Sequence, residues 1–129
     1  MPESVRLIKK YPNRRLYDTQ TSAYITLSDV KELVLSRVSF KAVDAKTGEN
    51  LTRSTLLQII AEEEMNSVPL FSADFLSQMI RFYGHPTQAI LGKYLEKSIR
   101  SFLESEKVLH EQSLALPGED SKQAGFNLL

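Results

Sequence analysis

Over the first 50 residues the apolar positions alternate more than they cycle. In residues 4–10 (SVRLIKK), Val5 and Leu7 flank Arg6, and Ile8 joins a mixed second face, as in a half-buried strand. Pro12-Asn13 is a turn signal, because Pro fixes φ and Asn tolerates left-handed backbone. Residues 14–18 (RRLYD) read as a second strand with Leu16 and Tyr17 on opposite faces. Residues 19–22 (TQTS) form a polar turn, and residues 23–27 (AYITL) are a third β segment. Short strands joined by two turns predict a small antiparallel sheet.

A 3.6-residue period then takes over. Thr26-Leu27-Ser28-Asp29 is a capping-box pattern, and the helix after it gathers Val30, Leu33 and Val34 on one face before ending near Arg37. Residues 40–45 (FKAVDA) return to strand character, stopped by a turn at residues 46–50 (KTGEN). Thr52 or Ser54 is then expected to cap a helix that runs to about Met65, with Leu56, Leu57, Ile59 and Ile60 as its apolar positions. Its last turn holds Glu62, Glu63 and Glu64, the unfavourable helix end for acids. They form either a solvated face or a contact for a partner or the basic N-terminal turn.

Two more helices follow. Ser72 is expected to cap the first, which runs to Tyr83 and is closed by Gly84. Its Phe75, Leu76, Met79, Ile80, Phe82 and Tyr83 fall within one arc of roughly 160°. Pro86 suits the first turn of the next helix, expected over residues 87–110 as a rod of roughly 36 Å. Leu91, Leu95, Ile99, Phe102, Leu103 and Leu109 share its apolar stripe. Leu95, Phe102 and Leu109 recur every seven residues, as in a seam between two copies. From about Ser113 periodicity fades, and a loose tail over residues 113–129 is expected. The fold class is therefore α+β: a small antiparallel sheet or hairpin domain with helices, then an amphipathic helical region used for oligomerisation.

Composition narrows the function. The 16 basic and 16 acidic residues cancel, which excludes an indiscriminate polycation. With no Cys there is no disulfide framework or thiolate zinc site, and no run reaches the length of a membrane span. The opening residues lack a signal-peptide core, so a soluble cytoplasmic protein is expected. The neutrality is nevertheless a sum of unlike halves. Residues 1–53 hold ten Lys and Arg against six Asp and Glu, and residues 54–129 hold six against ten.

Enzymatic readings find little support. The two His, His85 and His110, stand far apart, and His85 beside Pro86 reads as a turn or cap residue. Nucleophile-elbow, phosphate-loop, dinucleotide and zinc-protease motifs are all lacking. No catalytic residue, cofactor or metal is expected. The stronger lead is the segment Lys9-Lys10-Tyr11-Pro12-Asn13-Arg14-Arg15-Leu16-Tyr17. Lys and Arg neutralise phosphates, Arg forks onto guanine, Asn pairs with adenine, and Tyr stacks or donates a hydroxyl. A β-ribbon with these groups at its turn fits a major groove. The alternative is a solvated basic hairpin whose tyrosines pack on the core. The aromatic arc of residues 75–83 is likewise either core or a binding face.

The stretches 8–19 (IKKYPNRRLYDT), 24–27 (YITL), 43–49 (VDAKTGE) and 51–53 (LTR) resemble the bacterial polyhydroxyalkanoate synthesis repressors. So do 57–60 (LQII), 62–64 (EEE), 71–72 (FS), 76–78 (LSQ) and 80–84 (IRFYG). The resemblance implies a DNA-binding domain over residues 1–67 and a polyhydroxyalkanoate accumulation regulatory region over residues 68–112. It implies a repressor of granule-associated phasin genes that binds promoter or operator DNA and is released on binding the polyester. DNA contact then falls on Lys9, Lys10, Tyr11, Asn13, Arg14, Arg15 and Tyr17, with Lys46 and Arg53 as secondary candidates. Polymer contact falls on Phe75, Leu76, Met79, Ile80, Phe82 and Tyr83, the residues of the apolar arc. Pairing through Leu91, Leu95, Ile99, Phe102 and Leu109 would make a homodimer or homotetramer, working at the nucleoid and the granule surface, not in a membrane. The rival reading is a granule-coating structural protein in which the basic turn is incidental.

Overall fold

The computed structural model describes residues 5–115. The chain divides into two compact units, residues 1–72 and 73–129. In the first, β1 (Arg6–Lys10), β2 (Leu16–Asp18), β3 (Ala23–Ile25), α1 (Leu27–Leu35), β4 (Phe40–Asp44) and α2 (Thr52–Asn66) follow in order. The sheet runs β3-β2-β1-β4. Three strands form the expected antiparallel meander, but β4 joins β1 in parallel, so the sheet is mixed. The reason is topological: α1 carries the chain back across the sheet before β4 begins, and such a return leaves the new strand aligned with β1.

Strand alternation sends Ile8, Leu16 and Ala42 to one face, where they meet Val30 of α1 in a buried core. Leu27, Leu33, Phe40, Ile25 and Ile59 of α2 pack around it. Ile8 and Val30 are wholly buried, and each such burial contributes about 1.5–3 kcal/mol. The capping box forms as expected: the Asp29 N–H donates to Thr26 Oγ1 at 3.2 Å, and the Thr26 N–H donates to Asp29 Oδ2 at 2.8 Å. The second cap differs from expectation. Leu51 occupies the N-cap of α2 without a side-chain bond, while Thr52 Oγ1 instead accepts the Ala42 N–H at 2.9 Å. That hydroxyl ties helix to strand, which local propensity cannot foresee.

Among the described residues of this unit two polar side chains are buried, and both have partners. Thr55 Oγ1 donates to the Leu51 carbonyl at 2.7 Å. Asp18 receives Arg6 Nε at 3.0 Å and the Gln20 N–H at 2.9 Å. Burial pushes the Asp18 carboxyl up, but the Gln20 N–H and the Arg6 guanidinium together hold it below its ordinary value. Arg6, one of the basic residues that open the chain, is thus committed to the fold.

The second unit holds α3 (Ala73–Phe82) and α4 (Gln88–Ala115). The Tyr83 N–H still reaches the Ile80 carbonyl, and Gly84 then takes the left-handed φ of 80° that ends the turn. His85 is indeed a boundary residue, for its Nδ1 accepts the Thr87 N–H at 3.1 Å just before α4. With 28 residues, α4 is about 42 Å long and begins after Pro86 rather than on it. It runs through residues 113–115 of the expected tail; residues 116–129 lie outside the described residues.

Candidate nucleic-acid interface

The sheet has a second face, and α1 and α2 do not cover it. The registers Lys9↔Tyr17, Tyr17↔Tyr24 and Lys9↔Val43 place Val43, Lys9, Tyr17 and Tyr24 in one row across all four strands. Beside that row Leu7 pairs with Lys41, on the same face by alternation. The row therefore sets Lys9 beside two aromatic rings, with Lys41 next to it on the same face. Tyr17 meets Tyr24 edge to face at 5.3 Å, and Tyr11 approaches Tyr24 at 6.3 Å. The Arg15 guanidinium carbon lies 4.2 Å from the centre of the Tyr24 ring. Tyr24 is thus the hub of the cluster.

The turn between β1 and β2 is tightly specified. The Tyr11 N–H donates to the Arg15 carbonyl and the Arg14 N–H to the Tyr11 carbonyl, both at 2.9 Å. Asn13 Oδ1 accepts the Arg15 N–H at 3.1 Å, so its carbonyl already serves the turn. Arg14 sits at φ 66°, in the left-handed region that favours Gly or Asn. This explains why β2 starts at Leu16 and not at Arg14. Pro12, Asn13, Arg14 and Arg15 are all exposed.

Lys9 and Lys10 are adjacent in sequence but point to opposite faces. Lys9 joins the open row. Lys10 lines a cleft of about 560 Å³ on the helix side, together with Arg14, Arg15, Gln58 and Glu62. The acidic run of α2 is thereby divided among tasks. Glu62 shares the cleft with the basic turn, Glu63 pairs with Lys31 at 3.0 Å, and Glu64 accepts the N–H groups of Leu70 and Phe71. Among the described residues, ion pairs engage Arg6 and Lys31, while Lys9, Lys10, Arg14 and Arg15 enter none. These four cations are thus unpaired, with Glu62 as the acid that shares the cleft with three of them.

Of the secondary candidates, Lys46 lies near this end of the sheet. β1 and β4 are parallel, and the Ala45 N–H donates to the Lys10 carbonyl, so the 45–49 turn emerges beside the 11–15 turn. Asp44 shapes it, accepting the Thr47 and Lys46 N–H groups, and these bonds lower its pKa. Arg53 lines a different groove, with Leu56, Leu57 and Ile60. Tyr24 and Lys41 are members of the open face that a search for basic runs passes over. Alternation would have found Lys41, which stands between the inward Phe40 and Ala42. No metal-binding group of three or more His, Asp or Glu occurs among the described residues.

In the second unit the apolar arc of α3 is formed, yet none of its residues is buried. Met79 and Phe82 are half-buried, whereas Ile80 and Tyr83 are 68% and 66% exposed. The Phe82 ring meets the His85 imidazole edge to face at 5.8 Å. On α4, Leu91 and Leu95 are half-buried, and Ile99, Phe102 and Leu103 are exposed. The side chain of Leu109 lies outside the described residues. No helix among the described residues is long and apolar enough to cross a membrane.

A sheet face that sets lysines beside tilted and edge-to-face tyrosine rings, next to an arginine-rich turn, has the chemistry of a nucleic-acid-binding surface. Comparison with known sequences agrees. Residues 7–67 match the PHB/PHA accumulation regulator DNA-binding domain, and residues 71–110 match the PHB accumulation regulatory domain. The chain belongs to the family of polyhydroxybutyrate and polyhydroxyalkanoate accumulation regulators. Relatives include an uncharacterized protein in the phbA 5′ region of Thiocystis violacea, 54% identical over 81% of this chain and 75% of its own. An uncharacterized protein of Allochromatium vinosum is 52% identical over 81% of this chain and 68% of its own. No solved structure matches the chain.

Proposed function

We propose that the chain is a transcriptional repressor of polyhydroxyalkanoate granule genes, phasin genes among them, and that binding of the polyester releases it from DNA. Residues 1–67 hold double-stranded promoter or operator DNA, and residues 68–112 sense the polymer. Lys9, Arg14, Arg15 and Lys46 meet phosphates and base edges, with Tyr11 and Tyr17 beside them. Phe75, Leu76, Met79, Ile80, Phe82 and Tyr83 meet the polyester chain. Two or four copies pair through α4, presenting paired turns to a symmetric or repeated site. The protein shuttles in the cytoplasm between nucleoid and granule surface.

The observation that carries the DNA half is the surface of unpaired cations and tyrosines within the DNA-binding domain of the family. The polymer half is supported by the amphipathic face of α3, which the second unit leaves substantially in solvent. Release requires only that polymer bind one arrangement of the helices better than the arrangement that spaces the turns for DNA.

The decisive experiment is a mobility-shift assay on promoter fragments near polyester genes, with and without added polymer granules. Wild-type protein is expected to shift the fragment, and granules to abolish the shift. Arg14→Ala with Arg15→Ala is expected to lose the shift while still binding granules. Operator affinity retained by that variant at moderate salt overturns the DNA assignment. Granule binding by a wild-type protein that shifts no fragment would establish the granule-coating alternative.

A further inference from the structure

Tyr24 carries no charge and stands outside the basic segment, yet more of the site's geometry converges on it than on any cation. It occupies the middle of β3, in register with Tyr17. Its ring meets Tyr17 in an edge-to-face contact and Tyr11 in a tilted one, and the Arg15 guanidinium rests on it at 4.2 Å. Arg15 is also fixed through its backbone, by the Asn13 side chain and by the carbonyl bond to Tyr11. Arg14, its neighbour, has no comparable support on its side chain: it projects from a left-handed position at the exposed turn.

The two arginines therefore differ in physical character. A guanidinium lying on a ring keeps its in-plane N–H fork free while losing much of its rotational freedom. Such a fork suits the two acceptors of a guanine edge, where geometry decides the energy. A freely rotating guanidinium suits a phosphate, which attracts charge from many directions. We infer that Tyr24 is a positioning residue that orients Arg15 to read a guanine in the major groove, and that Arg14 is a sequence-independent phosphate contact. This rests on the DNA-binding reading above and assigns the specificity within it.

The test uses the full chain and a duplex selected by the wild-type protein from a random pool, beside a shuffled duplex of equal composition. Tyr24→Leu is expected to lower the ratio of specific to shuffled affinity about tenfold and to leave the salt slope unchanged. Tyr24→Phe keeps the ring face and is expected to keep the ratio. Arg14→Gln is expected to weaken both duplexes alike and to reduce the salt slope by about one. One G·C→A·T change in the selected duplex should cost wild-type protein about tenfold and Tyr24→Leu almost nothing.

A DNA-free measurement guards against a trivial loss of fold. The Arg15 side-chain protons should be shifted upfield by the ring in the NMR spectrum of wild type and Tyr24→Phe, and not in Tyr24→Leu. Equal loss on both duplexes in Tyr24→Leu, or an unshifted Arg15 in the wild type, overturns the assignment. Failure of the wild-type protein to enrich any sequence overturns the DNA-binding reading and this inference with it. Variant-only failure strikes the inference alone.

Discussion

The two units treat their apolar side chains in opposite ways. The first closes a core around Ile8, Leu16, Val30 and Ala42 and satisfies its buried polar groups, Asp18 and Thr55. The second has no buried residue among its described side chains, although α3 concentrates its apolar residues on one face. A ten-residue helix has little stability of its own in water, so α3 depends on packing for its order. The contrast separates two jobs. Apolar area spent on a core builds a rigid platform for polar recognition, and apolar area left in solvent remains available for a ligand or a second copy.

The largest expected effect attacks the platform. Ile8→Ala should destabilise the first unit by about 2–5 kcal/mol, because it empties a wholly buried site between sheet and α1. Ile80→Ala, at a position 68% exposed, should change stability by about 0.5 kcal/mol or less. Urea unfolding of both variants measures the difference. Equal losses would mean that the α3 face is core and would erase the contrast.

Next comes the part-buried ion pair of Arg6 and Asp18. Asp18→Ala leaves Arg6 and the Gln20 N–H without their acceptor and should cost about 1–3 kcal/mol. The same carboxylate sets a pH dependence. Its folded pKa lies below the ordinary 3.8, so its contribution is complete above that value and is lost as pH falls through the folded value. Acid titration of stability should show this loss below pH 3.8 in wild type and a flatter curve in Asp18→Ala.

A smaller effect of opposite sign is expected at the basic turn. Arg14→Gly relieves a left-handed φ of 66° and should stabilise the first unit by about 0.5–1 kcal/mol, while weakening DNA binding. Gly48 holds φ 76° in the neighbouring turn, and Gly48→Ala should cost about 1 kcal/mol. Thermal unfolding reads both. Stability and DNA affinity moving together in Arg14→Gly would mean that the arginine is kept for the fold. The least change in stability is expected from Phe102→Asp on α4, which should alter the mass found by light scattering if the stripe joins copies.

Much of this was legible because it is local. The Thr26–Asp29 capping box, the Pro12-Asn13 turn, the amphipathic α3 and the termination at Gly84 are each encoded within a few residues. The stretch from Lys9 to Tyr17 stands out by charge and ring content alone, and it is the basis of the proposed DNA contact. What escaped notice involved residues distant in sequence. Thr52 spends its hydroxyl on Ala42 ten residues away, Lys10 turns from the open face into a cleft with Glu62, and Tyr24 gathers Tyr11, Arg15 and Tyr17 from two other segments.

By itself, then, the order of residues determined where strands and helices form, where the chain turns, and that positive charge gathers at its first turn. Periodicity, capping and turn chemistry act over three to seven neighbours, so they can be read without knowing what lies across the fold. Tertiary structure alone decided that β4 runs parallel to β1, that Lys41 and Tyr24 share the face of Lys9, and that Arg6 is tied to the buried Asp18. The direction of β4 follows from the α1 crossover, and the shared face depends on strand register. A shift of one residue there turns every side chain to the other face, and register is set by packing between segments far apart in sequence.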